Sequence, residues 1–357
     1  MKKVLVSLII VAFLYPCLVL GIENRNIVGK ISFGYDDNIF EQAESKTGRS
    51  FLRLYLDSSL PLLQKKRLGS VLRLQDGFKI VGKEENVAIN QVNLRLAFLI
   101  SPKITSEFQN ELKHKNISDC QNSSSLSEDG YLNWNSGVSL KFKLRNFLSD
   151  IRCFERRLDY ADSDFFDANI RQIQVVTNVK LPRRLIGNFI ADWQHSHFPQ
   201  SLLPELNPAQ PLAQPEGEPQ TRVDNLYEIS VGLQWVERIL INPNYTFQRN
   251  KSNSNEYSFR AHQFSILTAS PFFWEVTMQL YGRIQLRQYD SQEMPPFQRP
   301  DEDNIEQARN VLIFNLAKDI FRNCSLEARY LLSQAELPLS SMRYTKQSYS
   351  LTVSYSF

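Results

Sequence analysis

Glycine is scarce in this chain, 13 of 357 residues, and proline reaches only 16. Collagen-like and low-complexity chains are thereby excluded. Cysteine numbers four, at Cys17, Cys120, Cys153 and Cys324. They are far apart, and the last three, an odd number, frame neither a disulfide scaffold nor a zinc site. An excess of one charge is missing as well, the net charge being +3. Without a basic patch, nucleic acid is not an expected partner. Past the first twenty residues no apolar run approaches the roughly 20 residues that a membrane helix needs.

The one apolar run lies at the start. Lys2 and Lys3 precede Val4 to Leu20, which only Ser7 and Pro16 interrupt, and Val19-Leu20-Gly21 supplies the cleavage residues. This reads as a signal peptide over 1–21, leaving 22–357 as the mature domain. Pro16 and the shortness of the run argue against a membrane anchor. Tyr15 and Pro16 stand where a lipobox before Cys17 has small residues, which argues against lipidation. Of the 41 Lys and Arg, losing Lys2 and Lys3 leaves 39 against 38 Asp and Glu. The mature chain is nearly neutral.

What the chain does have is alternation. Its end reads Tyr349-Ser350-Leu351-Thr352-Val353-Ser354-Tyr355-Ser356-Phe357, apolar at every odd position and hydroxylic at every even one. Soluble sheets also alternate, yet soluble chains usually trail off in frayed polar residues. The same period recurs around Ile27–Tyr35, Val92–Ile100, Leu132–Leu144, Tyr227–Trp235 and Trp274–Leu286. In lipid, strands satisfy their backbone groups only in a closed barrel, apolar outside and wet inside. The fold class expected is therefore all-β, a transmembrane antiparallel up-and-down β-barrel.

Connection lengths test that expectation independently. Short turns fall at 61–66, 101–103, 145–146, 182–184, 236–238, 270–271 and 317–319. Longer polar stretches fall at 37–49, 76–89, 115–130, 157–168, 196–222, 250–255, 289–306 and 333–343. The two kinds alternate without a break and give about 16 strands, with both termini on the periplasmic side. Fourteen or eighteen strands stay open, because the pattern blurs near 67–80, 146–158 and 256–268. The four tryptophans are expected to face outward: Trp134 and Trp193 near the long loops, Trp235 and Trp274 near the short turns.

Inward positions then carry the candidate pore lining: Arg53, Arg73, Arg95, Glu107, Glu111, Glu228, Glu275, Arg283, Arg287, Glu327 and Arg329. Asp57, Lys113, Lys141 and Arg152 share the inward parity. Opposite charges pairing across strands would make a hydrated wall; an arginine-rich constriction would instead favour anions. The stretch 196–222 holds six prolines, which stiffen and extend it. His195-Ser196-His197 with Asp192 is the nearest thing to a catalytic or metal-binding group, and its spacing fits neither chemistry. No enzyme activity, cofactor or metal is expected.

The chain also carries short motifs of known barrels. Gly34-Tyr35-Asp36-Asp37-Asn38-Ile39-Phe40, followed by Phe51-Leu52-Arg53-Leu54, resembles the first hairpin of outer-membrane β-barrel porin families. The segment Asn244–Ser254 followed by Tyr257-Ser258-Phe259-Arg260 resembles a hairpin of the same group. That group is similar to barrels of exopolysaccharide systems and to the barrel of surface lipoprotein assembly modifiers. The strand ending at Phe357 resembles the signal read by the barrel assembly machinery. The resemblance implies an outer-membrane location, lipid and that machinery as partners, and a channel for small polar or anionic solutes. A component of polysaccharide or surface-lipoprotein export is the alternative it implies. Homo-oligomerisation stays open.

Overall fold

The structure, a computed structural model, describes residues 26–37, 48–81, 85–118, 130–160, 167–201, 220–254, 257–290, 310–336 and 343–357. The segment read as a signal peptide, Cys120 and most of the proline-rich stretch lie outside these residues. Sixteen strands form one closed antiparallel barrel in which each strand pairs with its neighbours in sequence and the first with the last. They are β1 (Asn26–Asp36), β2 (Arg49–Lys65), β3 (Leu68–Val81), β4 (Glu85–Ser101), β5 (Ile104–Ser118) and β6 (Tyr131–Leu144). Next come β7 (Phe147–Tyr160), β8 (Ala168–Lys180), β9 (Leu185–Ser201), β10 (Gln220–Val236) and β11 (Leu240–Ser252). The circuit ends with β12 (Phe259–Pro271), β13 (Thr277–Tyr289), β14 (Asn310–Phe321), β15 (Cys324–Glu336) and β16 (Arg343–Ser356).

Closure follows from the alternation. Directly opposed residues share a face, and the parity set at Ile31↔Leu54 returns unchanged at Ile31↔Val353 after the full circuit. Following partners once around advances the register by about 20 residues, which over sixteen strands tilts them by about 40°. Outward positions are the exposed apolar ones, such as Phe33, Val138, Val231, Phe264 and Ile284. A wall this apolar on its outer side matches a hydrocarbon surround. Among the described residues no helix is long and apolar enough to cross a membrane.

The seam between β1 and β16 gives the porin-like opening phrase a physical meaning. Gly34 lies where a Cβ would meet the Tyr349 carbonyl oxygen at 2.5 Å. Lys346 Nζ lies 3.2 Å from Asp36 Oδ2, and the Asp37 amide donates to the Gln347 carbonyl at 2.9 Å. At the other end of the seam the Phe357 amide donates to the Ile27 carbonyl at 2.9 Å.

Several boundaries differ from the sequence reading. The connection expected at 76–89 shrinks, because β3 runs to Val81 and β4 starts at Glu85. The turn expected at 317–319 lies beyond Phe321, and the one at 270–271 lies beyond Pro271. His195 and His197 lie within β9 instead of at its end. Trp134 and Trp193 are about ten residues above their turns, or roughly 25 Å along the barrel axis, the height of an apolar belt. Trp235 pairs with Leu185 just above a turn. Trp274 stands on a turn itself, 84% exposed with φ of 56°, and is not part of a strand.

Candidate functional site

The inward face is the candidate site, and ten of the eleven expected lining residues belong to it. Register places Arg53, Arg73, Arg95, Glu107, Glu111, Glu228, Arg283, Arg287, Glu327 and Arg329 on the lumen side. Glu275 does not join them. It occupies the turn between β12 and β13 with φ of 61°, because the chain reverses before the strand that the alternation extended through it.

Several described acids of the lumen are matched by cations, on a neighbouring strand or two residues away on their own. Arg73 holds Asp57 from the next strand, its Nε donating to Oδ1 at 2.8 Å. Glu107 takes two partners, Arg95 Nη2 at 2.6 Å and Lys141 Nζ at 2.7 Å. Arg152 lies 2.8 Å from Asp150. Elsewhere amides stand in for charge: Asn93 donates to Glu111 at 3.0 Å, and Gln248 to Glu228 at 2.7 Å. Gln172 and Gln174 both donate to Asp192. Such pairs at a wetted wall contribute little stability individually, about 0–1 kcal/mol. Their larger effect is to set how much charge remains for a passing solute.

Basic side chains also stand over aromatic rings on this wall. Arg53 and Lys79 oppose each other across β2 and β3, and their cationic ends lie 5.5 and 5.7 Å from the Phe51 ring. Lys30 lies 5.6 Å from the Tyr55 ring, and Lys113 5.3 Å from that of Tyr131. Rings can hold a cation over their faces without neutralising it. Lys30, Lys79 and Lys143 extend the basic set found in the sequence, and parity alone would have given them.

Two further groups escaped the sequence reading because they fell in stretches taken as loops. Arg222 is buried between the rings of Phe198 and Tyr257, at 3.7 and 3.9 Å, with Asp224 Oδ2 at 3.3 Å. Lys115 is buried beside Tyr131. The lumen is also asymmetric: β11 and β12 turn asparagine, glutamine, hydroxyl and apolar residues inward and no charged residue, and β14 turns in only Asp319, near its short-turn end.

The histidine group separates by parity. His195 and His197 face outward, whereas Ser196 faces the lumen, is buried and accepts from Gln194 at 2.9 Å. A serine and histidines on opposite faces of a wall cannot act on one bond. Among the described residues no cluster of three or more metal-ligating side chains occurs.

The barrel's fold is that of known outer-membrane porins. A BenF-like porin from Pseudomonas fluorescens Pf-5 is similar over 94% of this chain and all of its own, with TM-score 0.52 and 8% identity. OccAB1 of Acinetobacter baumannii is similar over 94% of this chain and 97% of its own, with TM-score 0.52 and 9% identity. A loop-deleted OmpT, an outer-membrane protein of Vibrio cholerae, gives TM-score 0.50 at 8% identity over 94% and 99%. No family model matches the sequence, and no curated protein does. The kinship is thus one of fold: a sixteen-strand, porin-like outer-membrane barrel.

Proposed function

We propose that this barrel is a channel for passive diffusion of small polar solutes, with a preference for anions. One observation carries the reading: the inner wall is polar, and its described cations outnumber its described acids. Sixteen strands enclose enough width for an aqueous passage. An excess of cations along such a passage lowers the energy of an anion on the path. The porins of similar fold support a channel role in general, and their solutes say nothing about those taken here. The β16 strand ending at Phe357 is the segment we propose the assembly machinery recognises. Single-channel recording of the refolded mature protein in planar bilayers tests the channel. Stable openings with a reversal potential displaced toward the anion are expected. Silence from a barrel whose heat-modifiable migration proves it folded would overturn the proposal.

A further inference from the structure

The outer wall is not evenly covered. A concavity of about 1220 Å³ runs across it from β8 to β16. Its lower edge follows one register row, Gly187, Leu233, Pro243, Ile266, Gly282 and Leu312. Its upper edge is the next outward row, with Phe189, Val231, Tyr245, Phe264 and Ile284. Rows of this kind cross strands along the hydrogen bonds, so the groove climbs the barrel obliquely.

The two glycines of its lower row, Gly187 and Gly282, make the groove, and nothing else in the backbone asks for them. A Cβ at Gly187 would meet only Leu181 Cδ1 at 3.6 Å and the Val179 carbonyl at 3.9 Å. At Gly282 it would meet only Ile266 Cγ2 at 3.8 Å. Both therefore have room for a side chain and lack one, and apolar wall residues surround the space that results.

At its lower end the groove opens beside the turn Leu181-Pro182-Arg183-Arg184. The Leu185 amide donates to the Pro182 carbonyl, and the two arginines between them have φ of 59° and 62°. That two-residue reversal normally takes Asn-Gly, because both central residues must be left-handed. Arginine there costs about 1–2 kcal/mol per residue. Breaking a local rule in this way points to a role for the side chains at that place. Exposed Arg238 lies on the adjoining turn, and Glu237 Oε1 lies 3.4 Å from Arg184 Nη1. The other left-handed pair, Trp274 and Glu275, marks the turn below Gly282 and displays Phe272, Phe273 and Trp274 to the surroundings. Short turns face the periplasm, so basic and aromatic side chains both stand at the level of phospholipid headgroups.

We infer that this wall seats an anionic phospholipid of the periplasmic leaflet. Its phosphate would be held by Arg183, Arg184 and Arg238, and an acyl chain would lie in the groove over Gly187. Charge complementarity chooses the headgroup, and the missing side chains choose the apolar tail. A zwitterionic lipid satisfies the second requirement and not the first.

Trp235, paired with Leu185 directly above the turn, is a reporter already in place. In a variant with Trp134, Trp193 and Trp274 changed to Phe, its fluorescence is measured in phosphatidylcholine vesicles holding a minor fraction of phosphatidylglycerol. Bromine is carried on the acyl chains of one lipid or the other. Brominated phosphatidylglycerol is expected to quench as though enriched at least roughly fivefold near Trp235, about the 1 kcal/mol that a single Lys or Arg contributes at an anionic surface. Changing Arg183, Arg184 and Arg238 to Gln removes the preference, and Gly187→Leu reduces quenching by the chain in the groove. Quenching in proportion to bulk composition by the otherwise native barrel would overturn the inference, with no variant needed. A preference that survives all three Gln substitutions would overturn it too.

Discussion

Strands β1 to β7 turn most of the lumen's charge inward, from Lys30 and Arg53 to Asp150 and Arg152, whereas β11 and β12 turn in none. The outer surface reverses the contrast, since the groove belongs to β8–β16. Both walls obey the same alternation, so their period cannot be what separates them. Each strand carries two independent patterns, one per face, and hydrocarbon outside demands only that the outer one be apolar on average. The inner pattern is then free to specialise by sector. In this barrel the first seven strands hold most of the charge, and β11 and β12 hold amide and hydroxyl networks behind an indented exterior.

Glycine provides the harshest test of that contrast. On the charged wall, a Cβ at Gly137 would lie 2.6 Å from Phe154 Cε1 and 2.7 Å from the Cys153 carbonyl oxygen. The second of these is ladder backbone and cannot move aside. Gly137→Val should cost about 3 kcal/mol through overpacking and remove most of the heat-modifiable folded band. Gly282→Val on the grooved wall should leave that band in place. Equal shifts in denaturant midpoint for the two variants would erase the distinction between a glycine demanded by close approach and one that leaves a groove.

A change of charge should separate the walls next. Lys30→Gln, Arg53→Gln and Lys79→Gln together remove cations clustered around Phe51 and Tyr55. If these cations set the selectivity, the anion-to-cation permeability ratio should fall roughly fivefold, about the energy of one unit charge a few ångströms away in water. Glu107→Gln should move the ratio the other way, since it frees Arg95 and Lys141 from their shared acid. An unchanged reversal potential in both variants would place selectivity outside this wall.

The barrel itself was legible in the sequence because hydrocarbon forces a period of two on every strand, and turn lengths then count the strands. Strand ends were less legible. Above the apolar belt the outward residues need not be apolar, and strands continue through Asp76, Arg157 and His195 where the pattern has already lapsed. That is why the expected 76–89 loop shrank and why Arg222 and Lys115 were missed. Glu275 failed for the opposite reason: Trp274 and Val276 keep the outward parity of Met278 through a turn without Asn or Gly to mark it. The groove was out of reach altogether. Gly187 and Gly282 are 95 positions apart, and only the register of five strands places them in one row.

The smallest expected effect is the most discriminating, because it asks whether the uncharged wall serves stability alone. Ser230 and Thr246 are 2% and 3% exposed, and their hydroxyl oxygens lie 2.9 Å apart, while Asn244 Nδ2 donates to Ser230 Oγ at 2.8 Å. Ser230→Ala leaves the buried Thr246 and the half-buried Asn244 each short of a bond, a loss of about 1 kcal/mol. Arg73 holds Asp57 with a side chain half exposed to the lumen, and an exposed ion pair contributes about 0–1 kcal/mol. The serine variant should therefore lower the denaturant midpoint at least as much as Arg73→Gln does. Reversal potential should divide them differently, moving for the arginine and staying fixed for the serine. A selectivity shift in Ser230→Ala would mean that the hydroxyl and amide network also orders water or solute along the path, and that both walls share the work of selection.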